Sequence, residues 1–266
     1  MGWGDEVLAS GEAYAAYKAT GRKVRILDYR RFVRPLHLAW ENLEFIDQNI
    51  KLVDGRDCTD IINSGHARGY LLGYNDTHML HNRAYRAKRG IITLSDKEII
   101  FGRNATRGLE PFVVIESHNK ATGSKAKATI NKQWGIKKWQ ALVDEFRAAK
   151  ITVVQLGPEG GKNLPGTHWV CTPTMRHASA VIARATACVL PEGGLHHTAA
   201  AFCKPSVVIF GGFTAPSMTG YEGHINLGTE DTCGSRFPCA HCRAEMEKIS
   251  VKQVLDSFKL LGTKLC

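Results

Sequence analysis

Residues 190–212 read LPEGGLHHTAAAFCKPSVVIFGG, and their pattern gives the clearest indication of the fold class. An apolar strand ends at Leu190, two glycines turn the chain, and residues 195–202 predict a short helix. Residues 206–210, SVVIF, then predict a second buried strand. A strand, a helix and another strand at this spacing predict a right-handed crossover between parallel strands.

Short apolar strands alternate with helices through the rest of the second half. Strands are predicted at residues 112–115, 151–156 and 188–190, and helices at residues 136–149, 176–185 and 251–261. This alternation is typical of βαβ units. We therefore expect an α/β fold with a parallel sheet in this half of the chain.

The first half has a weaker pattern. Residues 5–19 predict a helix that ends before Gly21, and residues 23–28 predict a strand. Farther along, we interpret residues 90–94 and 99–101 as short strands separated by a turn. A domain boundary near residue 110 follows, which divides the chain into domains 1–109 and 110–266.

The composition excludes several classes of protein. The chain has 266 residues, a hydrophobic fraction of 44% and a formal net charge of +10, which argues against disorder, collagen-like repeats and coiled coil. Because no apolar run approaches the roughly 20 residues of a membrane span, and the first residues lack a secretory pattern, we expect a cytoplasmic protein with reduced thiols. The positive charge favours anionic partners.

The glycine turn is a candidate phosphate site. Gly193 and Gly194 allow the backbone to approach a ligand, and the amide groups of the following helix attract phosphate. Glu192 lies beside the turn, where its carboxylate can accept hydrogen bonds from sugar hydroxyls. The alternative is an ordinary tight turn between a strand and a helix.

A lysine-rich stretch is a second candidate for phosphate binding. Ammonium groups on flexible stems neutralise phosphate charge, and six lysines are clustered here: Lys120, Lys125, Lys127, Lys132, Lys137 and Lys138. Lys132, held between Ile130 and Trp134, is the lysine most expected to have a specific role. The alternative is a solvated surface loop.

Asp5 is a candidate general base, because it opens a helix behind two glycines and we expect it at a domain cleft. The alternative is a helix cap, the usual role of a carboxylate in this position.

A cysteine cluster is the last candidate site. Cys233, Cys239 and Cys242, with His241 and His224 near them, resemble a zinc knuckle. Because a second Cys-x2-Cys pair is missing, free thiols are the favoured interpretation, and we expect no metal.

Four motifs together point to a family. GWGD at residues 2–5, NKQW at 131–134, LGPE at 156–159 and EGGLHH at 192–197 resemble glycosyltransferase family 9, the ADP-heptose:lipopolysaccharide heptosyltransferases. The resemblance implies a GT-B-like α/β fold, in which two Rossmann-like domains with parallel sheets face each other across a cleft. The first domain would bind the acceptor, and the second the nucleotide sugar. The strand that usually precedes the GWGD motif in the family is missing from this sequence, so either another segment takes its place in the sheet or the first domain is trimmed.

The resemblance also implies residue roles. Asp5 would deprotonate the acceptor hydroxyl in an inverting reaction that needs no metal or other cofactor. The donor-binding residues would be Lys132 at the phosphates, Glu159 at the ribose, and Glu192, Gly193, Gly194, Leu195 and His197 at the glycine turn. Glu192 replaces the aspartate usual in the family, which leaves the identity of the donor sugar open.

We therefore expect an enzyme that transfers a sugar from a nucleoside diphosphate sugar to a hydroxyl of an anionic acceptor. Arg31 and Arg34 are candidate acceptor-binding residues, since arginine forks suit phosphate. A lipopolysaccharide core or other glycan fits the family and allows peripheral membrane contact, whereas a hydroxylated base in DNA also fits the charge. A rival from another class is a non-catalytic nucleic-acid-binding protein, disfavoured because no recognition motif is visible.

Overall fold

The computed structural model describes residues 2–49, 51–53, 55–64, 67–117, 129–161 and 163–263. The helices that lie within these ranges include α1 (Trp3–Thr20), α2 (Asp96–Ala105), α3 (Ile136–Ala148), α4 (Met175–Ile182), α5 (Gly194–Ala201), α6 (Pro216–Thr219), α7 (Ala240–Lys248) and α8 (Val251–Thr263). The strands are β1 (Lys23–Leu27), β2 (Cys58–Ile62), β3 (Leu71–Tyr74), β4 (Met79–His81), β5 (Phe112–Ile115), β6 (Thr152–Gly157), β7 (His168–Cys171), β8 (Ala187–Pro191), β9 (Ser206–Gly211) and β10 (His224–Gly228).

The second half is built on a six-stranded parallel sheet in the order β10-β9-β8-β5-β6-β7. Alternate residues of β5 face opposite sides of this sheet, as the period of a strand requires. Val113 and Ile115 pack against Trp139 of α3 and the helices α7 and α8, whereas Phe112 and Val114 pack against α4 and α5. Because helices cover both faces, every residue of β5 is buried.

The first half is smaller. Its described residues contain a parallel pair, β1 with β2, and an antiparallel hairpin, β3 with β4. Helix α1 covers the parallel pair and ends at Gly21, whose φ of 68° lies in the left-handed region that favours glycine. The indole of Trp40 donates a 2.9 Å hydrogen bond to the carbonyl of Glu6 and so stabilises the position of α1.

The strand predictions for residues 90–94 and 99–101 were wrong. Residues 90–94 form no strand, and residues 99–101 lie inside α2. The helix begins here because Ser95 and Glu98 form a capping box, with the Ser95 amide donating to Glu98 at 2.8 Å. Helix α2 packs against the second half through Phe101, and the boundary near residue 110 stays a prediction.

In the part of the chain that the structure describes, no helix has the length and apolar character needed to cross a lipid bilayer.

Candidate functional site

The strand order of the large sheet reverses between β5 and β8, and we call the carboxyl ends of these strands the crevice. After β5, the chain adds β6 and β7 on one side, and β8 to β10 on the other. The carboxyl ends of β5 and β8 therefore flank the switch point, the usual place for a ligand in a parallel sheet. Glu116 directly follows β5, and Glu192 directly follows β8. Two carboxyl groups, those of Glu116 and Glu192, thus lie at the switch point.

Lys132 lies between the elements that form this crevice. Its ammonium pairs with the carboxylate of Glu192 and lies 4.9 Å from the ring centre of Phe213, beyond β9. The lysine ends a 3-10 turn, Ile130–Lys132. Asn131 fixes that turn because its side-chain amide donates to the carbonyls of Ser235 and Phe237, at 2.9 and 2.8 Å. The one lysine singled out by the sequence is thus held at the switch point.

The two carboxyl groups have opposite protonation tendencies. Burial raises the pKa of Glu116 to about 8, although Lys132 acts to lower it. Burial also acts to raise the pKa of Glu192, but nearby positive charge, chiefly the ammonium of Lys132, outweighs it, and the net pKa lies below the usual value. At neutral pH the crevice therefore holds a mainly protonated Glu116 beside an ionised Glu192.

Two polar atoms near Lys132 are buried without a hydrogen-bond partner in the described residues. One is Oε2 of Glu116, and the other is Nε2 of His81 at the end of β4. The His81 ring lies edge-on to Phe213, with centres 5.8 Å apart, and burial lowers the pKa of His81 to about 4. Because buried polar groups are normally satisfied, these atoms indicate room for a polar ligand.

The start of α5 is fixed by two buried histidines. Nδ1 of His196 accepts a 2.9 Å hydrogen bond from the Gly193 amide, and its Nε2 donates to the carbonyl of Thr219 at 3.0 Å. Nδ1 of His197 lies 2.7 Å from the hydroxyl of Tyr221. Burial lowers the pKa of both histidines, so they are neutral and hold the turn in place. The positive end of the α5 dipole then faces the crevice.

The first turn of α1 meets the first turn of α5. Trp3 donates from its indole to the hydroxyl of Thr198 at 2.9 Å. A Cβ atom on Gly4 would lie 2.7 Å from Cδ2 of His197 and 3.4 Å from Cα of Gly194, so this approach requires a glycine. The structure thereby places the helix that carries Asp5 directly against the glycine turn.

Asp5 both caps its helix and faces an open cavity. Its Oδ2 accepts from the amide of Gly2 at 2.9 Å, and its Oδ1 accepts from the hydroxyl of Tyr70 at 2.6 Å. The guanidinium of Arg68 lies 3.3 Å from Oδ2. The cavity has a volume of about 430 Å³, and its basic lining residues are Arg68, Arg86 and Lys88. Asp5 can therefore cap its helix and also be available as a general base.

The other predicted donor residues lie at the same end of the sheet. Glu159 is exposed two residues beyond β6, while Leu195 is buried in the first turn of α5. Lys120, Lys125 and Lys127 lie outside the described residues. Lys138 donates to the carbonyls that end α7, which gives it a structural role.

The two predicted acceptor arginines have different surroundings. Arg31 is exposed in the turn after β1. The fork of Arg34 is occupied within the protein, because it donates two hydrogen bonds to Glu6, at 2.9 and 3.0 Å, and one to the carbonyl of Asn63 at 2.7 Å. Contact with an acceptor stays a prediction for both residues, and the contacts of Arg34 do not favour it.

Four residues of this site were not predicted from the sequence: Glu116, Arg68, Tyr70 and His81. Glu116 had a usable signal, since an acidic residue directly follows a wholly apolar strand. The other three lie in a segment without periodicity and reach the site only through the fold.

Residues 103–251 match the model of glycosyltransferase family 9 (heptosyltransferase). Lipopolysaccharide heptosyltransferase 1 of Pseudomonas aeruginosa is 30% identical over 118 residues, which are 44% of this chain and 29% of that protein. The chain thus spans less than a third of the length of this curated relative.

Among solved structures, the glycosyl transferase family 9 protein of Veillonella parvula DSM 2008 aligns with 98% of this chain and 94% of its own, at a TM-score of 0.66 and 15% identity. This likeness confirms the expected GT-B-like α/β fold. The E. coli ADP-heptose lps heptosyltransferase II aligns with 65% of this chain and 53% of its own, at a TM-score of 0.46 and 18% identity. The family match covers more than half of the 266 residues, and the chain therefore belongs to glycosyltransferase family 9.

Proposed function

We propose that this protein transfers a sugar from a nucleoside diphosphate sugar to a hydroxyl of an anionic glycan. The main support is the contact between the first turns of α1 and α5, in which Gly4, the residue before Asp5, lies against Gly194 of the glycine turn. A base for the acceptor and a positive site for the leaving group are thus close together.

The crevice is the proposed donor site. The ammonium of Lys132 and the positive end of the α5 dipole stabilise the negative charge that develops on the leaving nucleoside diphosphate. Glu116 and His81 offer their unpartnered polar atoms to the donor, and exposed Glu159 is the proposed ribose contact. These groups supply the charge stabilisation from the protein itself, so we propose that the transfer step uses no cofactor.

Asp5 is the proposed base of an inverting displacement. Its carboxylate removes the proton from the acceptor hydroxyl while the acceptor oxygen attacks the anomeric carbon and the diphosphate leaves. Arg68 and Tyr70 hold the carboxylate in one orientation without entering the reaction. One base is sufficient, because a direct displacement forms no covalent intermediate with the protein.

The cavity beside Asp5 is the proposed acceptor site. Its lining has three basic residues, Arg68, Arg86 and Lys88, and two acidic residues, Asp5 and Glu12. Because Asp5 pairs with Arg68 and Glu12 pairs with Lys88, one positive charge remains to attract a phosphate or carboxylate group of the glycan. The name of the Pseudomonas aeruginosa relative supports a lipopolysaccharide acceptor and a heptose donor. Such an acceptor fits a cytoplasmic enzyme with peripheral membrane contact, which also remains a proposal.

The experiment combines a donor screen with two variants. We expect an ADP-sugar or another nucleoside diphosphate sugar to raise the Tm of the wild-type protein, and Lys132→Met to lower donor affinity roughly tenfold or more. Asp5→Asn should keep donor affinity within about twofold and lose at least 100-fold in kcat. Glu44→Gln, an exposed acid elsewhere in the first half, is the matched control. Full turnover by Asp5→Asn, or no donor binding by the wild type, would contradict the proposal.

A further inference from the structure

Three cysteines and a histidine converge beyond the crevice. Cys233 lies in the loop after β10, Cys239 precedes α7, and His241 and Cys242 lie in its first turn. Ligand-type atoms of these four residues all lie within 4.8 Å of one another. Cys242 is buried and the other three are partly buried, so an ion could reach the group from solvent.

The spacing of the sulfur atoms fits a tetrahedral metal site. Sγ of Cys233 lies 3.7 Å from Sγ of Cys239 and 3.2 Å from Sγ of Cys242. Metal–sulfur bonds of about 2.3 Å at a tetrahedral angle separate two sulfur atoms by about 3.8 Å. Small movements of the side chains are therefore enough for all three thiolates to coordinate one ion.

The histidine is arranged as a fourth ligand. Nδ1 of His241 is buried and has no hydrogen-bond partner in the described residues. Its other ring nitrogen, Nε2, lies 4.0 Å from Oδ2 of Asp231. That separation is longer than a hydrogen bond, so the exposed carboxylate of Asp231 leaves the ring free to turn its Nδ1 toward an ion. The unpartnered nitrogen and the three thiols together supply four donor atoms.

We propose that Cys233, Cys239, His241 and Cys242 bind one divalent transition-metal ion of the thiolate-binding class, zinc or iron(II), in a tetrahedral structural site. The set of three sulfur donors and one nitrogen donor is typical of such sites. The observation that favours a metal over free thiols is the convergence of four donor atoms, all within 4.8 Å of one another.

The proposed ion would stabilise the loop between β10 and α7, which contacts several other parts of the molecule. The carbonyl of Gly234 accepts from the amide of Met79, and the amide of Arg236 donates to the carbonyl of Thr77, both at 2.8 Å, so the loop is tied to the β3–β4 hairpin. The amide of Cys239 donates to Oδ1 of Asn131 at 3.0 Å, next to Lys132. We therefore expect metal loss to lower the stability of the folded chain, whatever reaction it catalyses.

The main rival is a disulfide, since two of the sulfur atoms are close. A bond between Cys233 and Cys242 would leave Cys239 as a free thiol and His241 without a ligand. Thiol and metal counts distinguish the two. In a metal site all three cysteines are reduced and one ion is bound, whereas with a disulfide one cysteine is reduced and no ion is bound.

The test is elemental analysis of the untagged full chain, expressed with zinc and iron supplied and purified anaerobically without chelators or added reductant. We expect about one zinc or iron per chain, and replacement by Co²⁺ should give the absorption of tetrahedral cobalt with sulfur-to-cobalt charge transfer. Cys239→Ser and Cys242→Ser should lose the metal, whereas Cys171→Ser, at an exposed cysteine of β7, should keep it. Chelation should lower Tm by roughly 5 °C or more.

Wild-type protein with less than a tenth of an ion per chain and no cobalt spectrum would overturn the proposal, whether or not the variants fold. A thiol count that drops by two in that metal-free protein would assign the cluster to a disulfide instead. Full metal content in the Cys242→Ser variant would likewise overturn it, because the ion would then lie elsewhere.

Discussion

The hydroxyl of Tyr70 donates a 2.6 Å hydrogen bond to Oδ1 of Asp5, a residue 65 positions earlier in the chain. Arg68 reaches the opposite carboxylate oxygen at 3.3 Å. The loop that precedes β3 therefore orients the carboxylate at the first turn of α1. Because burial and the charge of Asp5 raise the pKa of Tyr70 well above its usual value, its hydroxyl remains a hydrogen-bond donor throughout the range of enzyme assays.

Tyr70→Phe tests this orientation. Removing one hydrogen bond to a charged group costs about 1.5–3 kcal/mol, which corresponds to roughly a 10- to 100-fold loss. We expect that loss in kcat with the proposed donor, while donor affinity stays within about twofold. Tyr14→Phe, at an exposed position of α1, is the control. Equal kcat values for the two variants would show that the hydrogen bond does not matter to catalysis.

The sequence predicted the parts of the fold that local pattern determines. Continuous apolar strands, helical spacing and the glycine turn at Gly193 and Gly194 need only neighbouring residues, and the large sheet contains them as expected. Residues 99–101 show the limit of that approach. Three consecutive apolar residues resemble a strand, but the capping box of Ser95 and Glu98 starts a helix.

The candidate site was predictable only in part, for a related reason. Lys132 and Glu192 are conspicuous in the sequence, but nothing local pairs them across 60 residues. Arg34 was predicted to bind phosphate, but in the folded chain its guanidinium pairs with the carboxylate of Glu6. Long-range contacts decide which charged groups face a ligand and which are used internally, and a single sequence contains no direct record of them.

Glu116 gives a pH-dependent prediction. Its pKa rises from 4.5 to about 8 on folding, since burial favours the protonated form. Between these values the folded state holds a proton that the unfolded state releases, so the free energy of unfolding decreases as pH rises, by up to about 1.4 kcal/mol per pH unit. Above about 8 this contribution becomes constant.

Glu116→Gln should remove that slope. The difference in unfolding free energy between the variant and the wild type should grow in favour of the variant from about pH 4.5 to about pH 8. Urea denaturation across this range measures it, with Glu44→Gln at an exposed position as the control. A difference that does not change with pH would mean that Glu116 is ionised in the folded protein.

Gly4→Ala tests the contact between α1 and α5. The new Cβ would lie 2.7 Å from Cδ2 of His197, whose ring would have to move away from the hydroxyl of Tyr221. We expect a destabilisation of about 1–3 kcal/mol and a weaker donor site. Gly262→Ala in α8, where a Cβ has no neighbour within 4 Å, should be neutral or stabilising. Equal unfolding midpoints for both variants would contradict the close approach.

Arg176 joins α4 to the first half through an almost fully buried guanidinium. It pairs with Glu98 in the first turn of α2, and it donates to the carbonyls of Leu38 and Thr93, at 2.8 and 2.6 Å. The hydrogen bond from Arg176 is the main cause that lowers the pKa of Glu98 to about 2. The pair therefore stabilises the protein above pH 4.5, and this stabilisation is lost as pH falls from about 4.5 toward 2.

Arg176→Met should lower the free energy of unfolding by about 3–5 kcal/mol at pH 7, because Glu98 and two carbonyls lose their partner. The Arg176→Met/Glu98→Gln double variant should recover part of that loss, since no unpaired carboxylate remains and glutamine keeps the capping box with Ser95. Arg103→Met, at an exposed position of α2, should stay within about 0.5 kcal/mol of the wild type. If the single variant instead unfolds at the same urea concentration as Arg103→Met, the ion pair does not hold the two halves together.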